Sequence, residues 1–394
     1  MDRDWLLNYT VTMLARRLGA RPETPIHGTK RDCSEPGIRL VPYVVSTMQL
    51  EELMGKTDEA LTQSFETVHN GQMLYDLIAS SKELAEDQRQ MLLQALEMSA
   101  LIVVVNCDGR HPSGKPKEFV EAFLQHEIAL SGCRAVIIAS AEGEVPYPLS
   151  QELIPTFHTR SIGLSFIDVN LSERSASDML KEVIKDLTVV GEQRRGHLIE
   201  TLSFAGNGLS KKGSEKPSVQ LVGMVAHPSC NLTSLDLSYN QFDEEEWARL
   251  AEVLGTSTCL THLDIRQEVS VDASVHDRIG ADLLEPSSGS RLCEMRCNAF
   301  DLITGVDTLE LTEQPLDRGT VRLLAGVLRH NRILKRLHLT ANDMDDDSVD
   351  VLTLALQWNL TLEWIGIDCT PLATATKTRV QQLAAQRPSG SLMV

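Results

Sequence analysis

The chain has 394 residues, 42% of them apolar, and its 37 Lys and Arg against 55 Asp and Glu leave a formal net charge of −18. At about 150 residues per domain, this length accommodates two or three domains, each with its own core. The negative balance excludes nucleic acid and anionic membranes as main partners, because phosphate neutralisation requires clustered Lys and Arg. No apolar run approaches the roughly 20 residues that cross a bilayer, and Met1 to Asp4 opens with charge, so a cytoplasmic protein is expected. The eight cysteines are scattered, as small buried hydrophobes are in a reducing compartment. Only Cys293 and Cys297 lie close together, and without a second pair no metal site is expected there.

In chain order, residues 1–37 read as a helical extension with a Pro- and Gly-containing loop. Gly37 to Met48 reads as a strand, Glu51 to Val68 as a helix, and Gln72 to Ile78 as a second strand. Gln88 to Ala100 is helical, and the continuous apolar run Leu101 to Asn106 has the character of a buried parallel strand. A helix over Lys117 to Gly132 leads into strand Cys133 to Ser140, and strand Ile162 to Val169 with helix Ser177 to Leu187 closes the unit. Alternating strands and helices predict an α/β, doubly wound parallel sheet, with functional groups outside the carboxyl ends of the strands. Neither G-x-G-x-x-G nor G-x-x-x-x-G-K-[ST] follows any of these strands, which excludes the common phosphate-cradling loops.

Three stretches of this half, Tyr75 to Asn106, Phe123 to Ser140, and Glu144 to Pro148 with Gly163 to Val169, resemble the flavodoxin-like Toll/interleukin receptor (TIR) domain. The resemblance covers 38–190. A second register exists, in which Arg31 to Gly37 resembles the R-D-x-x-P-G loop of receptor TIR domains and the first strand would precede Met1. The later register supplies all five strands without a 40-residue insertion and is the one adopted.

The resemblance implies chemistry at one residue. A subset of TIR domains cleaves NAD at the nicotinamide–ribose bond with a glutamate four residues after an aromatic, and Phe123 and Glu127 match that spacing, with Phe in place of the usual Trp. Breaking this bond develops oxocarbenium charge on the ribose, which a fixed carboxylate stabilises. Glu127 is then the catalytic candidate and NAD the substrate; no resident cofactor is implied. Phe123 keeps a stacking face, and Asn106 and Lys82 belong to the same implied cleft, Lys82 on the loop Ala79 to Asp87 through which TIR domains self-associate. Beside this stands the plain reading that Glu127, like Glu118 and Glu121, is a solvated helix residue.

The C-terminal half is repetitive. Segments starting at Leu232, Leu260, Val306, Leu334 and Leu362 share an L-x-x-L-x-L spacing, and Leu235, Leu263, Leu309, Leu337 and Ile365 follow one another at 28, 46, 28 and 28 residues. The long step reads as one repeat plus an insertion near 268–300, and a weaker copy starts at Ile199. Between the strands lie amphipathic helices with start signals, such as Asp243 followed by Glu244 to Glu246, with Trp247, Leu250, Ala251 and Leu254 on one face. The same layout recurs over Asp317 to Asn331 and Asp346 to Asn359. The run Asp343, Asp345, Asp346 and Asp347 reads as a helix cap in preference to a calcium loop. A strand and a helix of this size bury their apolar faces only by stacking, so a solenoid is expected.

These segments resemble leucine-rich repeats of the ribonuclease-inhibitor type over 198–370, about six copies, with 371–394 as cap and tail. Strand residues between the leucines, Asp236, His262, Asp264, Arg266, Glu310, Arg336, His338, Trp364 and Asp368, face the concave surface by period-two alternation. A mixed charged stripe with one Trp suits a protein partner. Together the two halves imply an innate-immunity or cell-death signalling protein, with three readings open: a TIR-type NAD nucleosidase, a recruiting scaffold, or a repeat protein that regulates a partner.

Overall fold

The computed structural model describes residues 37–43, 85–86, 100–106, 133–139, 161–167, 198–209 and 217–382, the last stretch apart from 229, 270, 315, 341, 343, 368–375 and 377. The chain divides into two compact units, Met1–Gln220 and Leu221–Val394. In the first, strands β1 (Gly37–Tyr43), β2 (Ala100–Asn106), β3 (Cys133–Ala139), β4 (Ser161–Ile167) and β5 (Leu198–Ser203) lie side by side in chain order.

β2 through β5 run parallel, as the apolar runs predict. β1 departs from the expectation of an all-parallel sheet: it pairs antiparallel with β2, with Gly37 opposite Asn106 and Tyr43 opposite Ala100. The side-chain pattern of a strand carries no record of its direction, and an antiparallel edge on a parallel sheet is a common outcome. The expected strand Gln72–Ile78 and the helices between 51 and 132 and between 177 and 187 lie outside the described residues.

β5, the weaker repeat copy, continues the sheet of β2 to β4. Leu164 stands opposite Leu202. Near the end of β4, Phe166 stacks on Phe204, which follows β5, with ring centroids 5.3 Å apart, and the Asn207 amide donates to the Phe166 carbonyl at 2.7 Å. The first repeat strand is thus tied to the preceding α/β element by the β4–β5 ladder together with this buried aromatic pair and hydrogen bond.

After helix α1 (Pro217–Val225), the second unit carries two parallel ladders. One holds β6 (Ser234–Asp236), β7 (His262–Asp264) and β8 (Glu294–Arg296), with the short antiparallel β9 (Asp301–Leu302) at its edge. The other holds β10 (Thr308–Glu310), β11 (Arg336–His338) and β12 (Trp364–Gly366). The central residues Leu235, Leu263 and Met295 of the first ladder, and Leu309, Leu337 and Ile365 of the second, are in register and buried.

The 46-residue step is more than an insertion. Leu292-x-x-Met295-x-Cys297 is a further strand segment whose Met295 pairs with Leu263, and the β8–β9 hairpin then leads back to β10 without an intervening helix. Met and Cys at the second and third apolar positions hide this copy from a pattern of leucines.

Strands of three residues leave the following loops short of backbone partners, and buried amides satisfy them. Asn240 donates to the carbonyls of Leu237 and Ser238, Gln267 to Leu237, and Asn342 to Leu311 and Leu339. Asn298 accepts from the Gln267 amide N–H at 2.9 Å and donates back to its carbonyl at 2.8 Å. On either side of Asn240, Tyr239 and Gln241 hold φ of 59° and 54°, where the first copy has Gly206 and Gly208. The left-handed conformation costs a non-glycine about 1 kcal/mol. It is held by the Tyr239 N–H to the Arg266 carbonyl and the Gln241 N–H to the Gln267 side chain.

Helices α2 (Glu244–Leu254), α3 (Ala273–Leu284), α4 (Arg318–His330) and α5 (Asp346–Leu356) pack in sequence against one another. Their start signals act as expected: Asp243 and Glu246 form a reciprocal capping box, and Asp317 and Asp345 accept from the N–H of Thr320 and Ser348. Trp247, Leu250, Ala251 and Leu254 form the buried face of α2. The α3–α4 contact is the closest. A Cβ on Gly319 would lie 2.0 Å from the Ala273 carbonyl oxygen, and one on Gly280 would lie 2.5 Å from the Arg322 backbone. Glycine is required at both positions because backbone meets backbone there.

Candidate functional site

The outward positions of the two ladders form the candidate site. In each three-residue strand the central side chain points into the core and its neighbours point away, as pleating requires. Ser234, His262 and Glu294 therefore form one cross-strand row, and Asp236, Asp264 and Arg296 a second. On the other ladder the rows are Thr308, Arg336, Trp364 and Glu310, His338, Gly366.

The first ladder seals its own charges. The Arg266 guanidinium forks onto the Asp264 carboxylate, with Nη2 2.7 Å from Oδ2 and Nε 3.1 Å from Oδ1, and lies 5.8 Å from the Tyr239 ring centroid. Burial raises the Tyr239 hydroxyl above its ordinary pKa, although Arg266 pulls the other way. Asp236 accepts from both the N–H and the hydroxyl of Ser238. His262 Nε2 sits 2.7 Å from Glu294 Oε1, which also accepts from the Thr304 hydroxyl, while Oε2 accepts the Thr304 N–H. Asp236, Asp264, Glu294 and Arg296 are all buried. Asp236 and Asp264 are each bound by a residue two positions along their own chain, Ser238 and Arg266.

The second ladder stays accessible. Arg336 and Glu310 are exposed, while His338 and Trp364 are partly so. The His338 and Trp364 rings lie 4.1 Å apart between centroids at 41°, and His338 Nε2 is 3.2 Å from Glu310 Oε1. The indole also covers Gly366: a Cβ there would lie 2.2 Å from its Cη2. Glycine at 366 therefore lets Trp364 lie along the strand face towards His338. Sequence reasoning missed both Gly366 and Glu294. The first carries no side chain to mark it, and the second sits in the strand that Met295 and Cys297 disguise.

Of the remaining expected residues, Asn106 ends β2 between Gly37 of β1 and Ala139 of β3. Glu127, Phe123, Lys82 and Asp368 lie outside the described residues. Among the described residues no group of three or more His, Cys, Asp or Glu is placed to hold a metal ion, and no helix is long and apolar enough to cross a membrane. Cys297 is buried next to this face, and burial pushes its thiol up to about 12.

The comparison that decides the repeat type is local. A family model described as "Leucine Rich repeat" matches residues 229–245, the β6 strand and the start of α2. These repeats are leucine-rich repeats. The leucine-rich-repeat chain is similar to the mouse "NACHT, LRR and PYD domains-containing protein 4E", 32% identical over 179 residues, which are 45% of this chain and 17% of that protein. Mouse "NACHT, LRR and PYD domains-containing protein 4C" is 30% identical over 179 residues, 45% of this chain and 16% of that protein. The rat "NACHT, LRR and PYD domains-containing protein 3" is 24% identical over 257 residues, 64% of this chain and 23% of that protein. The chain thus spans less than a quarter of the length of each. None of these proteins is named for a TIR domain, and the TIR resemblance of residues 38–190 rests on the sequence stretches that carry it.

Proposed function

We propose that this chain is an innate-immunity protein whose leucine-rich repeats bind a protein partner through the strand face of β10 to β12. The observation that carries the reading is the set Arg336, His338 and Trp364, a partly exposed, tilted indole–imidazole contact beside an exposed guanidinium. Trp and Arg are the residues in which interface energy concentrates. The similarity to NACHT, LRR and PYD domains-containing proteins supports the setting. A photo-crosslinker in place of Arg336 is expected to capture one discrete partner, and Trp364→Ala to reduce that capture at least about tenfold. A crosslinker at Glu252, exposed on α2, is expected to capture none. Equal capture from both positions removes the reading.

A second reading concerns residues 38–190 as a TIR-like domain that self-associates and hydrolyses NAD. It is supported by the Phe123–Glu127 spacing and by the parallel strands β2, β3 and β4, with Asn106 at a carboxyl end. Glu127 would stabilise ribose charge as nicotinamide leaves. NAD consumption by the full chain at high concentration, lost in Glu127→Ala, is the expected result; no consumption by the clustered protein leaves recruitment as the role of this segment.

A further inference from the structure

Away from the strand face, the second unit carries a groove of about 410 Å³ between the start of α2 and the loop that leads from β7 into α3. Its floor is apolar: Phe242 and Trp247 meet edge to face with centroids 5.0 Å apart, and Val275 of α3 is buried beside them. Its lip is Val269, which is 80% exposed although aliphatic, followed by buried Val271. The upper rim holds three carboxylates, Glu244, Glu268 and Asp272, and no basic residue lines it. Among the described residues none of the three has a Lys or Arg partner at ion-pair distance.

The local structure keeps these charges in place. Asp272 caps α3 and accepts the Ser274 N–H at 2.7 Å. Its bonds to the Ser274 side chain and backbone hold its carboxyl below the usual range, so it stays anionic. The Gln241 amide ties Glu268 to the opposite wall at 3.1 Å. The positive end of α2 is already met by the Asp243–Glu246 capping box, so it does not neutralise the rim.

We propose that this groove is a docking site for a basic peptide segment of a partner protein, in which Lys or Arg alternates with aliphatic residues. Charge complementarity selects the occupant. The cationic heads reach the three rim carboxylates, while their methylene stems and an intervening aliphatic side chain cover Val269 and the apolar floor. Val269, 80% exposed, extends the apolar lining of the groove to its mouth, where an aliphatic side chain of the peptide can cover it. The groove is separate from the β10–β12 face, so the two sites would engage different parts of a partner or different partners.

The test uses the full chain and a fluorescein-labelled acetyl-Arg-Leu-Arg-Leu amide, with the Glu-Leu-Glu-Leu peptide as its counterpart. Fluorescence anisotropy is expected to saturate with the basic peptide, with affinity at least about tenfold above the acidic one and falling as salt rises. Glu268→Lys is expected to weaken binding by about tenfold and Val269→Ser by about threefold, both being exposed positions where folding is little affected. Glu363→Lys, exposed and remote in sequence, is expected to leave it unchanged. No binding at about 1 mM peptide overturns the proposal. So does an equal loss in Glu363→Lys, which would mean attraction to the −18 net charge alone, and so does salt-independent binding of both peptides, which would mark a purely apolar pocket.

Discussion

The two ladders of the second unit share one pattern and serve it differently. On β6 to β8 the outward carboxylates are buried and turned inward onto Arg266, Ser238, His262 and Thr304. On β10 to β12 the equivalent positions hold Glu310 and Arg336, both exposed, and Trp364, partly exposed and in tilted contact with His338. An outward position in a repeat strand therefore has no fixed meaning. It braces the sheet where a donor folds back onto it, as Ser238, Arg266 and Thr304 do, and it stays accessible at Glu310 and Arg336.

The difference is sharpest where the ladders' helices meet. Gly319→Val would place side-chain atoms where the Ala273 carbonyl stands, so it is expected to destabilise the unit by about 3 kcal/mol, read as a lowered urea midpoint. Next comes a paired test of the ladders themselves. Glu294→Ala removes a buried carboxylate that accepts from the Thr304 N–H and hydroxyl and meets His262, and should cost about 2 kcal/mol, whereas Glu310→Ala removes an exposed group and should cost less than about 0.5. Equal losses would mean that the second ladder is as self-sealed as the first. Trp364→Ala, partly exposed, should likewise shift stability by less than about 1 kcal/mol while it removes partner capture.

The smallest effect is a pH dependence at the same helix junction. His276 is buried between α3 and α4, with Nδ1 3.1 Å from the Thr320 hydroxyl and Nε2 without a hydrogen-bond partner. Burial lowers its pKa below 6.5, against the pull of Asp317 and Asp272. The unfolded chain then binds the proton more readily than the folded one, so this contribution is complete above pH 6.5 and is lost as pH falls below it. The melting temperature is expected to fall on going from neutral pH to below 6.5, and His276→Gln should flatten that slope. His330, whose pKa burial also lowers, with Arg329 and Arg332 adding to the shift, acts in the same direction, so the slope in His276→Gln is reduced and not abolished.

Much of the repeat half was legible in the sequence because its signals are local. The L-x-x-L-x-L spacing, the Asp caps at 243, 317 and 345, and the apolar stripe of α2 each depend on residues within one turn or one strand. The Met295 strand was hidden because only its leucine at 292 keeps the pattern. Of the eight strand-face residues placed by the structure, Asp236 and Asp264 are buried and bound by Ser238 and Arg266, whereas Glu310 is exposed.

The sequence by itself determined the repeat period, the helix starts, the buried leucine rows and the acidic balance, since periodicity and capping are written within a few residues. Tertiary structure alone decided the direction of β1, the backbone contacts that require Gly280 and Gly319, and the pairing of His262 with Glu294. Each of these depends on a partner from a different strand or helix. Direction, close approach and satisfaction are properties of pairs, and the pairing residues lie tens of positions apart in the chain.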